Sequence, residues 1–126
     1  MRAIDTSVLV RLLVRDDPDQ VEEAETFVAS GAWVSHLVLA EAVWVLASVY
    51  DLNAERIITA VQMLLEHDRL VLQDGNVVEA ALSAFQQRPS AGFSDCLIIE
   101  IARKAGHQPV GTFDRSMSRL DGASEV

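Results

Sequence analysis

The N-terminal stretch MRAIDTSVLVRLLV (residues 1–14) carries the first indication of the fold. Residues 3–5 form a short predicted strand, and Thr6 or Ser7 caps a predicted helix that runs to residue 14. The apolar residues at positions 8, 9, 12 and 13 of that segment follow helical spacing. The stretch therefore predicts a strand that leads directly into a helix, with Asp5 at the carboxyl end of the strand.

Strands and helices alternate along the rest of the chain. Further strands are predicted over residues 33–35, 70–72 and 110–112, and helices over residues 19–30, 37–50, 53–67, 76–87 and 95–105. Ser94 is the predicted cap of the last of these helices, and the tail can hold a short helix and a marginal fifth strand. This alternation predicts an α/β fold, in which a short parallel β-sheet of four or five strands is flanked by helices in a three-layer sandwich. At 126 residues, the chain is predicted to be a single domain over residues 1–126.

The composition favours a folded, intracellular protein. Half of the residues are hydrophobic, and Cys96 is the one cysteine, so no internal disulfide can form. Cys96 lies in an apolar run and is predicted to be a buried core residue rather than a nucleophile. Asp5 stands where a signal peptide would need an apolar stretch, and Glu41 interrupts the longest apolar run. We therefore expect a cytoplasmic protein without a membrane segment.

The charge balance is acidic, with 19 Asp and Glu against 10 Lys and Arg and a formal net charge of −9. Taken alone, this balance argues against a nucleic-acid partner, because phosphate contacts need basic residues. Divalent ions in an acidic pocket, with arginines placed around it, would reconcile the charge with a phosphate substrate. The same charge also suits a basic polypeptide partner.

Four carboxylates are the candidate site residues. Asp5 and Asp114 follow the first and fourth predicted strands, at the edge of a parallel sheet where ligands bind. Asp95 begins a helix, and helix capping or a turn would explain each of these three acids without any function. Glu41 lies among apolar residues on its helix, where a carboxylate is costly to bury unless it is paired or bound to a metal. A narrow solvent-facing strip shared with Ser48 would also explain Glu41.

Carboxylates without a His or Cys cluster suit a hard cation. The three histidines are scattered along the chain and are predicted to be structural. Mg²⁺ prefers oxygen ligands, whereas zinc sites use His and Cys. We therefore predict a site for one or two Mg²⁺ ions, and we expect that without metal at least one of the carboxylates has a raised pKa.

At these residues the sequence resembles the PIN-domain proteins, and in size and layout the VapC-type toxins of bacterial toxin–antitoxin modules. Asp5 matches the acid of the opening Ile4-Asp5-Thr6-Ser7, and Asp114 matches the acid of the closing segment at residues 111–115. Glu41 matches the acid of the third helix, and Asp95 matches the acid of residues 93–98. Ser7 and Thr112 stand where the family uses hydroxyls or amides to steady the acids.

The resemblance implies a PIN-like fold and a metal-dependent endoribonuclease, a phosphodiester hydrolase that uses Mg²⁺, with Mn²⁺ as a substitute. It also implies an RNA substrate, a homodimer, a cognate antitoxin protein as partner, and Asp5, Glu41, Asp95 and Asp114 as catalytic metal ligands. Arg115 directly follows Asp114 and is the best candidate for a phosphate contact, with an ordinary solvated surface charge as the alternative.

Two other readings compete with the nuclease. A catalytically inactive PIN module could serve as a protein-binding or RNA-binding scaffold. A response-regulator receiver or a haloacid-dehalogenase-like phosphatase fits poorly. The receiver needs an acidic pair at the first strand and a late lysine, whereas Asp5 is alone and Lys104 is the only lysine. The phosphatase needs Asp-x-Asp, where this chain has Asp5-Thr6-Ser7.

Overall fold

Five short strands and seven α-helices make up the chain, which the computed structural model describes from Met1 to Val126. The residues form two compact units, unit 1 over Met1–Gln73 and unit 2 over Asp74–Val126. Every strand pair in either unit is parallel. The predicted α/β class with parallel strands is therefore confirmed.

Unit 1 is built around a three-stranded sheet. Its elements are β1 (Arg2–Ala3), α1 (Thr6–Val14), α2 (Pro18–Val28), β2 (Ala32–Val34), α3 (His36–Ser48), α4 (Ala54–Glu66) and β3 (Leu70–Leu72). The strand order is β1-β2-β3, with Ala32 opposite both Arg2 and Leu70. Because helices connect strands that run in the same direction, the carboxyl ends of all three strands lie at one edge of the sheet.

The helices of unit 1 begin at polar caps and pack through apolar side chains. The caps of α1 to α4 are Asp5, Asp17, Ser35 and Asn53, whose side chains accept hydrogen bonds from main-chain N–H groups of the first turn. Such caps satisfy N–H groups that have no partner within the helix. The most deeply buried large side chains of unit 1 are Leu9, Val34, Leu39, Leu46 and Val61. Burying side chains of this kind contributes about 1.5–3 kcal/mol each to folding.

Unit 2 contains a helix pair and a two-stranded sheet. Its elements are α5 (Gly75–Gln87), a single 3₁₀ turn (Pro89–Ala91), α6 (Phe93–Ala105), β4 (Val110–Thr112), α7 (Arg115–Ser118) and β5 (Ala123–Glu125). Strand β4 pairs with β5, with Val110 opposite Ala123. The core between α5 and α6 includes Phe85 and Phe93, whose rings meet edge to face with centroids 6.0 Å apart. Cys96 is 1% exposed in the same core, as predicted from the apolar run around it.

Most predicted elements form, with shifts at their ends. Strands β3 and β4 have the predicted bounds, and both the short last helix and the fifth strand are present. The first strand ends at Ala3 rather than residue 5, because Asp5 itself caps α1 in place of Thr6 or Ser7. Helix α6 begins at Phe93, two residues earlier than predicted, and Ser94 is not its cap. Gly92 has φ +82° and takes the cap position without a side-chain hydrogen bond.

The strands differ from the prediction in their grouping. We predicted one sheet of four or five strands, whereas the structure has a sheet of three and a sheet of two. Each strand is only two or three residues long, and both residues of β1 pair with β2. Ladders this short leave few main-chain hydrogen bonds for further pairing. No helix has the length and apolar character needed to cross a membrane, and the single domain over residues 1–126 stays a prediction.

Candidate active site

Asp5 lies two residues beyond β1, at the start of α1. Its Oδ1 atom accepts a hydrogen bond from the Ser7 hydroxyl at 2.7 Å and from the main-chain N–H groups of Ser7 and Val8 at 3.1 and 3.4 Å. All three hydrogen bonds involve the same oxygen, so Oδ2 has no protein partner. Asp5 is exposed, which leaves Oδ2 accessible to a ligand.

The hydrogen bond from the Ser7 hydroxyl lowers the pKa of Asp5, and the main-chain N–H groups of Val8 and Ser7 add to this effect against a smaller opposing effect of burial. These donors favour the charged carboxylate. A lowered pKa contributes stability that is present above the pKa of the unfolded chain and is lost as the pH falls through the folded value. The Asp5 carboxylate is therefore ionised at neutral pH.

Ser7→Ala is expected to raise the pKa of Asp5 towards its ordinary value, because the largest stabilising donor is removed. The loss of stability caused by the substitution should be greatest above the pKa of the unfolded chain and vanish at lower pH. Carbon-detected NMR titration of the Asp5 carboxyl group measures the change. Ser48→Ala is the matched control, since that hydroxyl donates to the Trp44 carbonyl oxygen. An unchanged Asp5 titration in Ser7→Ala would refute this role of Ser7.

Glu41 lies in the second turn of α3 and is exposed. The expectation that apolar neighbours bury this acid was wrong, because Leu37 and Trp44 on the same helix face are themselves 69% and 64% exposed. The alternative of a solvent-facing strip with Ser48 describes the structure better, since Ser48 is also exposed. Glu41 therefore needs no metal to offset a cost of burial.

Thr6 links Glu41 to the start of α1. The Thr6 hydroxyl donates to Glu41 Oε2 at 2.9 Å. Since Thr6 directly follows Asp5, this contact joins Glu41 of α3 to the first residue of α1. From the sequence, Thr6 was considered only as a possible cap of α1, and its contact with Glu41 was not predicted, although its position in the Ile4-Asp5-Thr6-Ser7 opening was a signal. Unit 1 thus places Asp5 and Glu41 on neighbouring elements, each held by a hydroxyl.

Asp95 and Asp114 form the carboxylate pair of unit 2. Asp95 lies in the first turn of α6 and is partly buried, whereas Asp114 caps α7 and is exposed. Burial raises the pKa of Asp95, and the negative charge of Asp114 raises it further. The direction agrees with the expectation that one carboxylate has a raised pKa without metal, but the larger cause is burial rather than the expected repulsion between acids. A divalent cation would relieve both unfavourable effects.

Thr112 and Met117 fix the position of Asp114. The Asp114 main-chain N–H donates to Thr112 Oγ1 at 3.0 Å, and Asp114 Oδ1 accepts from the Met117 main-chain N–H at 2.9 Å. The hydroxyl of Thr112 thus orients the main chain at Asp114 rather than the carboxylate itself. The capping explanation is correct for Asp114, and it is compatible with a ligand at the remaining oxygen.

The arginines differ in their availability. Arg11 pairs with Asp16 and Arg15 pairs with Glu25, so both are engaged within unit 1. Arg115 is exposed and its guanidinium has no ion pair or hydrogen bond within the chain. It remains available for a phosphate contact. Cys96 is not a candidate nucleophile, because burial raises the pKa of its thiol to about 11.

The donor set can be compared with what Mg²⁺ requires. No group of three or more His, Cys, Asp and Glu side chains that could hold a metal ion is present. Mg²⁺ is usually bound through one or two carboxylates, with waters and substrate phosphates completing its six ligands. Asp95 and Asp114 supply two carboxylates in unit 2, which is the number that such a site uses. A single ion site shared by all four carboxylates stays a prediction.

A model of the PIN domain family matches residues 3–123, which is nearly the whole chain. Searches of the curated proteins and of the solved structures found no match. PIN domains are generally nucleases, and the match implies RNA binding in general terms. The matched segment includes both carboxylate pairs and the hydroxyls that accompany them. The chain belongs to the PIN-domain family.

Proposed function

We propose that this protein is a Mg²⁺-dependent endoribonuclease that acts as the toxin of a toxin–antitoxin pair. The observation that carries the proposal is the carboxylate pair of unit 2, where burial and the charge of Asp114 raise the pKa of Asp95. A divalent cation held by these two carboxylates would offset both effects when the site is in use. Membership of a family of nucleases supports the same chemistry.

The proposed ligands for the ion are Asp5, Asp95 and Asp114, with Glu41 binding directly or through a water. A bound divalent cation lowers the pKa of a coordinated water and offsets negative charge on the scissile phosphate. Other residues of the chain hold these carboxylates in place. Ser7 orients Asp5 through its 2.7 Å hydrogen bond and lowers the pKa of the carboxyl group. Arg115 is the proposed contact to a substrate phosphate, because its guanidinium is exposed and unpaired.

The partner proposals rest on charge and exposed apolar surface. A net charge of −9 favours a basic partner, and Leu37 and Trp44 on α3 offer exposed apolar contacts. We propose that a cognate antitoxin with basic and apolar residues binds the toxin, and that the toxin is a homodimer that acts on RNA in the cytoplasm. Light scattering on the purified chain measures the dimer, and a monomer at micromolar concentration would contradict it.

The wild-type chain is expected to cleave RNA in buffers containing Mg²⁺ or Mn²⁺, and excess EDTA should abolish the cleavage. Gel analysis of labelled RNA, followed by mapping of the new ends, measures both the rate and the position of the cuts. Readdition of Mg²⁺ after EDTA is the control for irreversible loss of protein. Cleavage that continues at the same rate in EDTA would refute the metal-dependent mechanism.

One observation favours a second candidate, the catalytically inactive PIN scaffold. The structure contains no group of three or more potential metal-ligating side chains. A scaffold would bind RNA or protein without breaking a phosphodiester bond. The same assay separates the two functions, because a scaffold leaves the RNA intact in Mg²⁺ and Mn²⁺ while still retaining it.

A further inference from the structure

Unit 2 contains a cavity of about 440 Å³ that does not include the carboxylate pair. One side is formed by residues at positions 80, 83, 84 and 87 of α5, and the other by residues at positions 96, 99, 100 and 103 of α6. Both sets follow the i, i+3, i+4, i+7 spacing of a single helix face. The cavity is therefore a groove between two packed helices, and its size is within the range of small-ligand sites.

Small side chains on α5 keep this groove open. Ala80, Ser83 and Ala84 line the α5 side, where larger residues would fill the space. Leu120 and Asp121, which follow α7, line the end of the groove. The groove is thus shaped by three parts of unit 2 and is not a gap between two mobile surface side chains.

The charge of the lining differs from that of the whole protein. Arg88, Arg103 and Arg119 line the groove, against Glu100 and Asp121 as the acids. Three of the nine arginines of a chain with net charge −9 therefore lie around one cavity. The lining carries one more positive charge than negative charge, so the groove is a basic site on an acidic protein.

Arg103 lies beside both acids of the lining. Its Nε atom lies 3.1 Å from Glu100 Oε1, and its Nη2 atom lies 3.8 Å from Asp121 Oδ2. The same Nη2 donates to the main-chain oxygen of Asp121 at 3.0 Å. Arg103 is therefore held in place, and its single positive charge offsets part of the negative charge of the two acids.

Arg88 and Arg119 have no such partners. Both are exposed, and neither guanidinium has an ion pair or a hydrogen bond within the chain. A guanidinium presents a planar fork of N–H donors that matches two oxygens of a phosphate group. Two open guanidiniums at a groove whose three arginines outnumber its two acids form a suitable site for a phosphate-bearing ligand.

We propose that this groove binds backbone phosphates of an RNA strand through Arg88 and Arg119, apart from the site of cleavage. The choice of RNA rests on the proposed function, whereas the preference for phosphate rests on the two guanidiniums alone. Single-stranded nucleic acids bind in basic grooves that follow the backbone. Such a groove explains how an acidic protein can hold a polyanion.

The test measures RNA binding without cleavage. Fluorescence anisotropy with a labelled single-stranded RNA in EDTA gives Kd at several salt concentrations for the wild type, Arg88→Ala and Arg119→Ala. Each substitution is expected to weaken binding about tenfold and to reduce the slope of log Kd against log salt by about 0.7, the value for one phosphate contact on a single strand. Arg88→Lys should lose part of the affinity, because it keeps the charge but not the fork.

Arg56→Ala is the matched control, because Arg56 is exposed on α4 in unit 1 and its substitution removes the same charge. It should change Kd less than twofold. Equal weakening by Arg56→Ala would overturn the proposal, since general electrostatics would then explain the effect. The proposal would also be overturned if Arg88→Ala and Arg119→Ala weakened the binding of a mononucleotide but left the binding of RNA unchanged. The groove would then serve a small phosphate ligand. Thermal melting of each variant checks the fold.

Cleavage by the wild-type chain in Mn²⁺ is measured in parallel. Binding that depends on Arg88 and Arg119 without any cleavage would support the groove and count against the proposed nuclease. Cleavage of RNA, together with RNA binding that does not depend on either arginine, would support the nuclease and overturn the proposal that the groove binds RNA. The two proposals therefore fail separately.

Discussion

Replacing Asp5 with Asn is expected to lower the rate of RNA cleavage by about a hundredfold or more. The amide of Asn accepts the same cap hydrogen bonds as the carboxylate, so α1 should keep its start. The substitution removes the negative charge and the second carboxylate oxygen, which are needed to hold a divalent cation. Initial rates on labelled RNA in Mg²⁺ measure the loss.

Asp17→Asn is the matched control for this variant. Asp17 caps α2 and accepts from the Gln20 main-chain N–H at 3.2 Å, so the same chemical change occurs at a similar position without any proposed role in catalysis. The control should keep wild-type activity, and both variants should unfold within about 1 kcal/mol of the wild type. Wild-type cleavage by Asp5→Asn would contradict the assignment of Asp5 as a metal ligand.

A bacterial growth assay with the same two variants tests the toxin proposal. Induced expression of the wild type and of Asp17→Asn should arrest growth, whereas Asp5→Asn should not. Co-expression of the protein encoded next to the toxin should restore growth and should co-purify with the chain. Growth arrest by Asp5→Asn would separate toxicity from the proposed chemistry.

Gly122→Ala is expected to reduce the free energy of unfolding by about 2–5 kcal/mol, from backbone strain together with a steric clash. Gly122 has φ +96°, a conformation that alanine adopts only at a cost. A Cβ atom there would lie 2.8 Å from Ile99 Cγ2 and 2.8 Å from Arg103 Nη2. Ile99 is buried and cannot move aside easily. Urea denaturation of the full chain measures the change.

Gly106→Ala provides the matched control. Gly106 has φ +85°, but a Cβ atom there meets nothing within 4 Å. This substitution should cost about 1–2 kcal/mol from backbone strain alone. The difference between the two variants therefore isolates the clash with Ile99 and Arg103. Equal losses in the two variants would show that the close approach at Gly122 contributes nothing to stability.

Local patterns predicted much of the fold from sequence. Strand β3 is an apolar triplet between polar residues, and strand β4 lies between a helix stop and a turn, so both were bounded correctly. The short β1 was placed too late, because Asp5 can end a strand or cap a helix, and only the hydrogen bonds of α1 decide between these roles. The grouping of strands into two sheets depends on pairings between distant residues, which no local pattern contains.

In the candidate site, too, features set by sequence neighbours could be predicted, whereas features set by residues far apart in sequence could not. The role of Ser7 in holding Asp5 was expected from the resemblance to the PIN-domain proteins, and the two residues are only two positions apart in sequence. Glu41 was misjudged because α3 has apolar residues around most of its circumference, so its buried side could not be identified from spacing. Leu39 and Leu46 are buried, whereas Trp44 is exposed. The basic groove was missed, since its three arginines are far apart in sequence.

The hydrogen bonds at Asp5 also affect the entropy of ligand binding. An aspartate on a free surface samples several rotamers and loses that freedom when it binds an ion. At Asp5 the three hydrogen bonds to Oδ1 restrict the side chain as soon as α1 forms. The conformational entropy is therefore lost during folding rather than during binding, and Oδ2 is presented in one orientation to whatever ligand arrives.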